Sequence, residues 1–268
     1  MAQLQKDFNF KKQFGQNFIF DTNFLNALVK VFNLPPQTCV LEIGAGAGTL
    51  TEVLSQNFKK VVSVEIDKTL QQTLIPLTQK YNNLSFIFDD VLNISLTDIE
   101  NNFDNSYVMI ANLPYYITSQ IIFKFLYSNK LTEMFVMVQK EVCERFCAKE
   151  STKDYGIPTV LINTFGSAKI VKNVGKKMFT PMPKVDSCII NIKLQKDKFN
   201  VKNVQKYSNF VSNCFKMKRK TLYNNLSSCG FEKEKIISCI EQLNLTALVR
   251  PENLTAEQFV ALYNLLEV

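Results

Sequence analysis

Hydrophobic positions along the chain fall into short apolar runs that alternate with stretches of helical spacing. The first such stretch carries Phe24, Leu25, Leu28, Val29 and Phe32, with Asp21 or Thr22 placed to cap it and Pro35-Pro36 to stop it. Thr38-Cys-Val-Leu-Glu-Ile43 then reads as a buried strand leading into Gly44-Ala-Gly-Ala-Gly48. Thr49 to Phe58 is predicted helical, Lys60 to Ile66 a second strand, Thr69 to Lys80 a helix, and Leu84 to Phe88 a third strand ending in Asp89-Asp90. Val108 to Ala111 gives a fourth strand, Ser119 to Tyr127 a helix, Met134 to Val138 a fifth strand and Lys140 to Ala148 a helix. Strands alternating with helices of this length predict an α/β fold, a doubly wound and mostly parallel sheet.

The pattern changes toward the C-terminus. Ala168 to Val174 and Ser187 to Leu194 read as two late strands, a hairpin-like pair closing one edge of the sheet. Beyond about Gln195 strand signals stop, and amphipathic helices are predicted around Val201–Cys214, Lys218–Ser227, Lys233–Leu243 and Thr255–Leu266. A boundary is therefore expected near Gln195–Asn200, dividing residues 1–196 from a small all-α domain at 197–268.

Composition narrows the chemistry. The 268 residues include no histidine, which excludes histidine triads, histidine-held metals and the commonest general base. The seven cysteines are scattered and read as reduced thiols; Cys143 and Cys147 have no second pair to complete a metal site, so no metal is expected. No apolar run is long enough to span a membrane, and the N-terminus has no signal-peptide block, which favours a cytoplasmic protein. The net charge of +7 is uneven: Phe165 to Leu222 holds fourteen Lys/Arg against two Asp, whereas Leu41 to Ile110 holds four Lys against nine Asp/Glu. Cations concentrated in one segment favour a polyanionic partner.

Candidate chemistry lies at the predicted strand ends. The closely spaced glycines of Leu41-Glu-Ile-Gly-Ala-Gly-Ala-Gly48 let backbone N–H groups approach a ligand. Nicotinamide-binding sheets use a similar loop, although here the spacing is G-x-G-x-G and the strand ends in the acid Glu42. Glu65 at the tip of the second strand is placed to grip two ribose hydroxyls. Asp90, after the third, could accept a hydrogen bond from an adenine amino group. In this order the acids describe a nucleoside site. The fourth strand runs into Asn112-Leu-Pro-Tyr115, which offers an amide, a rigid ring and an aromatic face without a turn glycine.

The set Glu42-x-Gly44-x-Gly46-x-Gly48, Glu65-x-Asp67, Asp90 and Asn112-Leu-Pro-Tyr115 resembles the S-adenosylmethionine-dependent adenine-N6 methyltransferases and, within them, the ribosomal RNA adenine dimethylases. The resemblance extends over nearly the whole chain, through Lys12-Gln-Phe-Gly-Gln-Asn-Phe-Ile19, Gln139-Lys-Glu-Val142 with Arg145, Tyr155-Gly156 and Phe179-Thr-Pro-Met-Pro-Lys-Val-Asp-Ser187. In the tail, Lys218-Arg-Lys-Thr-Leu222 and Arg250-Pro-Glu-Asn-Leu254 resemble the small-subunit branch. Macrolide-resistance methylases of large-subunit rRNA share the catalytic half but usually lack these tail motifs. Ala45, Asp89 and Met182 depart from the pattern, none at a position with a catalytic role.

The resemblance implies a Rossmann-like class I methyltransferase domain over 1–196, with S-adenosylmethionine as cofactor, and a helical RNA-binding domain over 197–268. It implies a cofactor site of Gln16, Asn17, Ile19, Glu42, Gly44, Gly46, Glu65, Ile66, Asp90, Val91 and Asn112. Asn17 and Ile19 would run along the cofactor, Gly44 lie beneath its methionine part, Glu65 meet the ribose and Asp90 the adenine amino group. At the reacting amine, the Asn112 side-chain oxygen and the Leu113 carbonyl would accept, Pro114 would hold Leu113 extended, and Tyr115 and Phe179 would face the target base. Lys176, Lys177, Lys184, Lys216, Lys218, Arg219 and Lys220 would track phosphates. The implied partner is small-subunit rRNA in a pre-30S-type particle, modified by a monomer with no membrane contact. Large-subunit methylation, a ribosome-assembly role with secondary catalysis, and a nicotinamide oxidoreductase are the competing expectations.

Overall fold

The computed structural model describes residues 17–195, 198–199 and 201–266. In chain order the elements are α1 (Thr22–Phe32), β1 (Cys39–Ile43), α2 (Thr49–Asn57), β2 (Lys60–Val64), α3 (Gln71–Lys80), β3 (Leu84–Ile87), α4 (Leu96–Glu100), β4 (Tyr107–Asn112), α5 (Thr118–Phe125) and β5 (Leu131–Gln139). They continue with α6 (Lys140–Phe146), α7 (Ile157–Phe165), β6 (Gly166–Val174), β7 (Ser187–Leu194), α8 (Val204–Cys214), α9 (Leu222–Ser228), α10 (Lys233–Gln242) and α11 (Ala256–Leu265).

The strands form one seven-stranded sheet in the order β3-β2-β1-β4-β5-β7-β6. Pairing is parallel from β3 through β5, and β7 then runs antiparallel to β5. The inner strands read as continuous apolar runs because both faces are covered: Val40, Leu41, Val61 and Val62 are wholly buried. α1 starts where the Asp21 carboxylate accepts from Phe24 N at 3.0 Å, and it ends at Asn33 in the left-handed region. Its apolar side packs on the sheet, with Phe32 stacked on Phe135 at a centroid distance of 4.4 Å. β1 has β2 on one side and β4 on the other, so the order of connection reverses there. A crevice forms at the carboxyl ends of strands beside such a point.

The chain divides into two compact units, one running to Cys143 and resumed at Lys169–Lys193, the other formed by Glu144–Ala168 with the chain from Leu194 onward. In the second unit Tyr155 Oη donates to Leu254 O at 2.7 Å, and Thr164 Oγ1 and Tyr207 Oη share a hydrogen bond of 2.8 Å. The segment 144–168 thus packs with the late helices, in addition to the crossing expected near Gln195–Asn200.

Two helices carry no periodic signal in the sequence. α4 has five residues, too few for a stripe, and is nucleated by Ser95 Oγ accepting from Asp98 N at 3.0 Å. α7 is buried nearly all round, so its apolar residues show no face. Of the seven cysteines expected as thiols, Cys143 and Cys188, both fully buried, meet in the core with Cα atoms 6.4 Å apart; Cys39, Cys147, Cys214, Cys229 and Cys239 stand apart from them. The β5–β7 register, which sets Val138 against Cys188, brings Cys188 beside the start of α6. No helix among the described residues is long and apolar enough to cross a membrane.

Candidate active site

Beyond β1 the chain turns through Gly44 (φ +82°) and Gly46 (φ +55°), conformations that an L side chain rarely adopts. A Cβ on Gly46 would lie 2.4 Å from Cε1 of Phe18, so that ring and the loop can touch only through glycine. Gly46 N donates to Glu65 Oε2 and Asp67 N to Oε1, each at 2.8 Å. The Glu65 carboxylate is therefore buried and fixed at the carboxyl end of β2, and each oxygen keeps a lone pair for a second donor. Burial raises its pKa, the Gly46 and Asp67 N–H groups oppose that shift, and the neighbouring Asp67 charge adds to it.

β4 delivers Asn112 to the same end of the sheet. Asn112 Nδ2 donates to Asn17 O at 2.7 Å, which orients the amide and makes Oδ1 the acceptor presented to a ligand. Leu113 N donates to Met137 O at 3.2 Å, and Thr118 Oγ1 donates to Pro114 O at 2.9 Å. The loop is thus tied to β5 on one side and to the start of α5 on the other. Tyr115 is half-buried, and its Oη pairs with Ser187 Oγ at 2.6 Å, which locks the ring. Burial raises the phenol pKa and the Ser187 bond opposes it.

These residues surround a cavity of about 60 Å³ lined by Asn17, Phe18, Gly44, Gly46, Glu65, Ile66 and Asn112 to Tyr115. A smaller one of about 30 Å³ continues past Phe18 toward Ile19, Ala47 and Met137. A larger groove, about 790 Å³, opens at the amino ends of the strands near Lys59, Asn83, Asp104 and Glu133. It holds none of the residues expected to be functional.

Other expected residues stand as follows. Gln16 lies outside the described residues. Ile19 is buried and lines the smaller cavity. Asp90 and Val91 occupy the loop after β3, where Asp90 Oδ1 accepts from Leu92 N at 2.9 Å. Glu42 is not brought into the cleft: it is 0 % exposed behind the glycine loop, where Thr51 Oγ1 and Ser63 Oγ both donate to its Oε2 at 2.6 Å. Burial pushes its pKa up to about 7, against the Ser63 and Thr51 hydrogen bonds and helped by the Glu65 charge. Its Oε1 has no hydrogen-bond partner among the described residues. Phe179 is buried in the cluster that holds Ile19, Phe32 and Val174 and lines neither cavity. Lys177 and Lys184 in the first unit, and Lys216, Lys218, Arg219 and Lys220 in the second, are exposed, while Lys176 is half-buried.

A profile of the ribosomal RNA adenine dimethylase family matches residues 7–267. The chain belongs to that family. A ribosomal RNA small subunit methyltransferase A from Caldanaerobacter subterraneus is 42% identical over 259 residues, covering 96% of this chain and 97% of the relative. A dimethyladenosine transferase from Plasmodium falciparum, solved by crystallography, has a TM-score of 0.78 and 26% identity, over 94% of this chain and 98% of that one. The crystal structure of the 23S rRNA methyltransferase ErmE shares the fold, with a TM-score of 0.68 at 23% identity over 94% of this chain and 100% of that one.

Around this cleft, three contacts that no spacing in the sequence foretells join positions distant in the chain. Ser187 anchors Tyr115 across 72 residues, and Phe18 bridges Thr180 through paired backbone hydrogen bonds of 2.9 and 2.8 Å. The third is made by Lys124 in the last turn of α5, whose Nζ donates to the Val91 and Leu92 carbonyls. Each acts through a partner distant in the chain.

Proposed function

We propose that the protein transfers methyl groups from S-adenosylmethionine to the N6 amines of two adjacent adenosines near the 3′ end of small-subunit (16S-type) rRNA, during ribosome biogenesis. The observation that carries this reading is the Asn112 amide. Its nitrogen is engaged by Asn17 O, so its oxygen is the acceptor beside the Gly44 and Glu65 cleft. The donor set suits the cofactor: a glycine loop whose Gly44 and Gly46 line the cavity, a fixed carboxylate at the end of β2, and an acceptor at the end of β4.

S-adenosylmethionine supplies a methyl group on a positively charged sulfur. The chain's residues supply position. Glu65 would accept from the ribose hydroxyls and Asp90 from the adenine amine, and Ile66 and Val91 would complete the site. Asn112 Oδ1 and Leu113 O accept from the target N6 amine, which favours the form whose lone pair is free. Pro114 keeps Leu113 extended, and the locked Tyr115 ring carries the target base. Positioning of this kind supplies on the order of several kcal/mol without acid–base catalysis. The proton released can pass to water, so a chain without histidine suffices.

In this reading the first unit, residues 1–143 with 169–193, binds the cofactor and catalyses transfer, and the second, 144–168 with 194–268, binds RNA. Lys176, Lys177, Lys184, Lys216, Lys218, Arg219 and Lys220 neutralise phosphates around a base drawn out of its stack. The protein works as a monomer in the cytoplasm on a pre-30S-type particle. The relative named for the small subunit supports this choice over large-subunit methylation, because the 23%-identical likeness carries the fold alone. Primer extension on rRNA from cells lacking the protein tests it. Two adjacent stops near the small-subunit 3′ end should vanish and return with the wild-type chain but not with Asn112→Ala. Loss of signal confined to the large subunit would overturn the proposal.

A further inference from the structure

Lys124 lies in the last turn of α5, the helix that follows Asn112-Leu-Pro-Tyr115. Its Nζ donates to the backbone carbonyls of Val91 at 2.7 Å, Leu92 at 3.0 Å and Ile94. Three acceptors require three N–H donors, so the group is an ammonium rather than an amine. The carbonyls belong to the turn that follows β3, which no strand partner holds. Among the described residues its other hydrogen bonds include internal ones, Leu92 N to Asp90 Oδ1 at 2.9 Å, Asn93 N to Asp90 O at 2.9 Å and Ile94 N to Asp90 O at 3.3 Å, and Val91 is buried. Lys124 thus ties the Asp90 turn to the body of the unit. Burial pulls the pKa of Lys124 down and the Asp90 charge opposes that shift.

A second lysine uses the same chemistry away from the cleft. Lys130 Nζ donates to Glu100 O at 3.1 Å and Phe103 O at 2.6 Å, at the amino end of β5. Lys124 differs in what it joins. On one side is the turn bearing Asp90 and Val91; on the other is the helix whose start closes on Pro114 O. Those are the two ends of the cofactor site as read above, and the inference rests on that reading.

We propose that Lys124 is a positioning residue for cofactor binding. Its ammonium gathers the Val91, Leu92 and Ile94 carbonyls and so sets the Asp90-Val91 turn at a fixed distance from Asn112 and Tyr115. Removing it frees the turn and weakens the grip on the cofactor's adenine, while the amine acceptors at Asn112 and Leu113 stay in place.

Titration calorimetry with S-adenosylmethionine tests this without RNA. Lys124→Met keeps the buried methylenes and should weaken binding about tenfold or more, the loss of charge-assisted hydrogen bonds. The maximal transfer rate at saturating cofactor should hold within about threefold, since transition-state contacts are untouched. Lys124→Ala should behave alike and regain affinity when methylammonium is added to fill the carbonyl site. Lys130→Met should lower the unfolding temperature yet leave S-adenosylmethionine affinity unchanged. Unaltered affinity in both Lys124 variants, or an equal loss in Lys130→Met, overturns the inference and leaves the proposed function intact. A wild-type chain that binds no S-adenosylmethionine overturns the cofactor reading itself.

Discussion

Asn112 combines a fixed orientation with an acceptor at the cleft, and in the proposed reaction transfer depends on that combination. Asn112→Ala should cut the maximal rate by about a hundredfold, the scale of losing one oriented polar group at a reacting centre. S-adenosylmethionine affinity should change much less, which calorimetry beside single-turnover assays would separate. Glu42 predicts a pH effect instead. Its folded pKa is about 7 against an ordinary 4.5, so the protonated form favours the fold. The stability it contributes is whole below pH 4.5 and is lost as pH rises through about 7, on the order of 3 kcal/mol. Unfolding temperatures compared at pH 5 and pH 8 should fall with pH in the wild type and much less in Glu42→Gln, whose amide stays neutral. That Glu65 and Asn112 meet at one cleft was legible because both are strand-end polar groups beside a glycine loop. Glu42 was not, because Thr51 and Ser63 turn it behind the loop, and neither residue advertises that in the linear sequence. The surroundings of Phe179 could not be read along the chain either, because Ile19, Phe32 and Val174 come together only in the fold.

At the scale of elements, the strand-to-helix turn is the most constrained feature. Gly46→Ala would require a side chain at φ +55° and a contact with Phe18 far inside van der Waals range. Strain of this kind costs about 1–3 kcal/mol, so cofactor affinity should drop by about tenfold or more. Titration calorimetry on the folded variant reads it, and unchanged affinity would show that the loop and Phe18 yield freely. The alternating strands and helices were readable because β1, β2 and β4 are buried on both faces and their connecting helices are amphipathic. α4 and α7 were not, the first being too short and the second apolar on every side. Helix Thr69–Lys80 was expected as one piece, whereas its first turn is a 3₁₀ segment over Lys68–Leu70, capped by Asp67 accepting from Thr69 N.

For the whole molecule, charge and chain path matter more than any single contact. The uneven +7 was visible in the sequence, and the exposed Lys216, Lys218, Arg219 and Lys220 in the second unit carry its densest part. Lys218→Glu with Arg219→Glu should weaken RNA binding and flatten its salt dependence by about two phosphate contacts. Affinity for S-adenosylmethionine should not change; filter binding across a salt series beside calorimetry checks both. The excursion of 144–168 into the second unit was not legible, because it depends on pairs such as Tyr155 with Leu254 that lie 99 residues apart. The central claim is a small-subunit adenosine target. Its most direct measurement incubates the purified protein and labelled S-adenosylmethionine with unmodified small subunits and, separately, large subunits, followed by mass spectrometry of the RNA fragments. N6,N6-dimethyladenosine at two adjacent positions near the small-subunit 3′ end is the predicted result; methylation confined to the large subunit, or to another base, would contradict it.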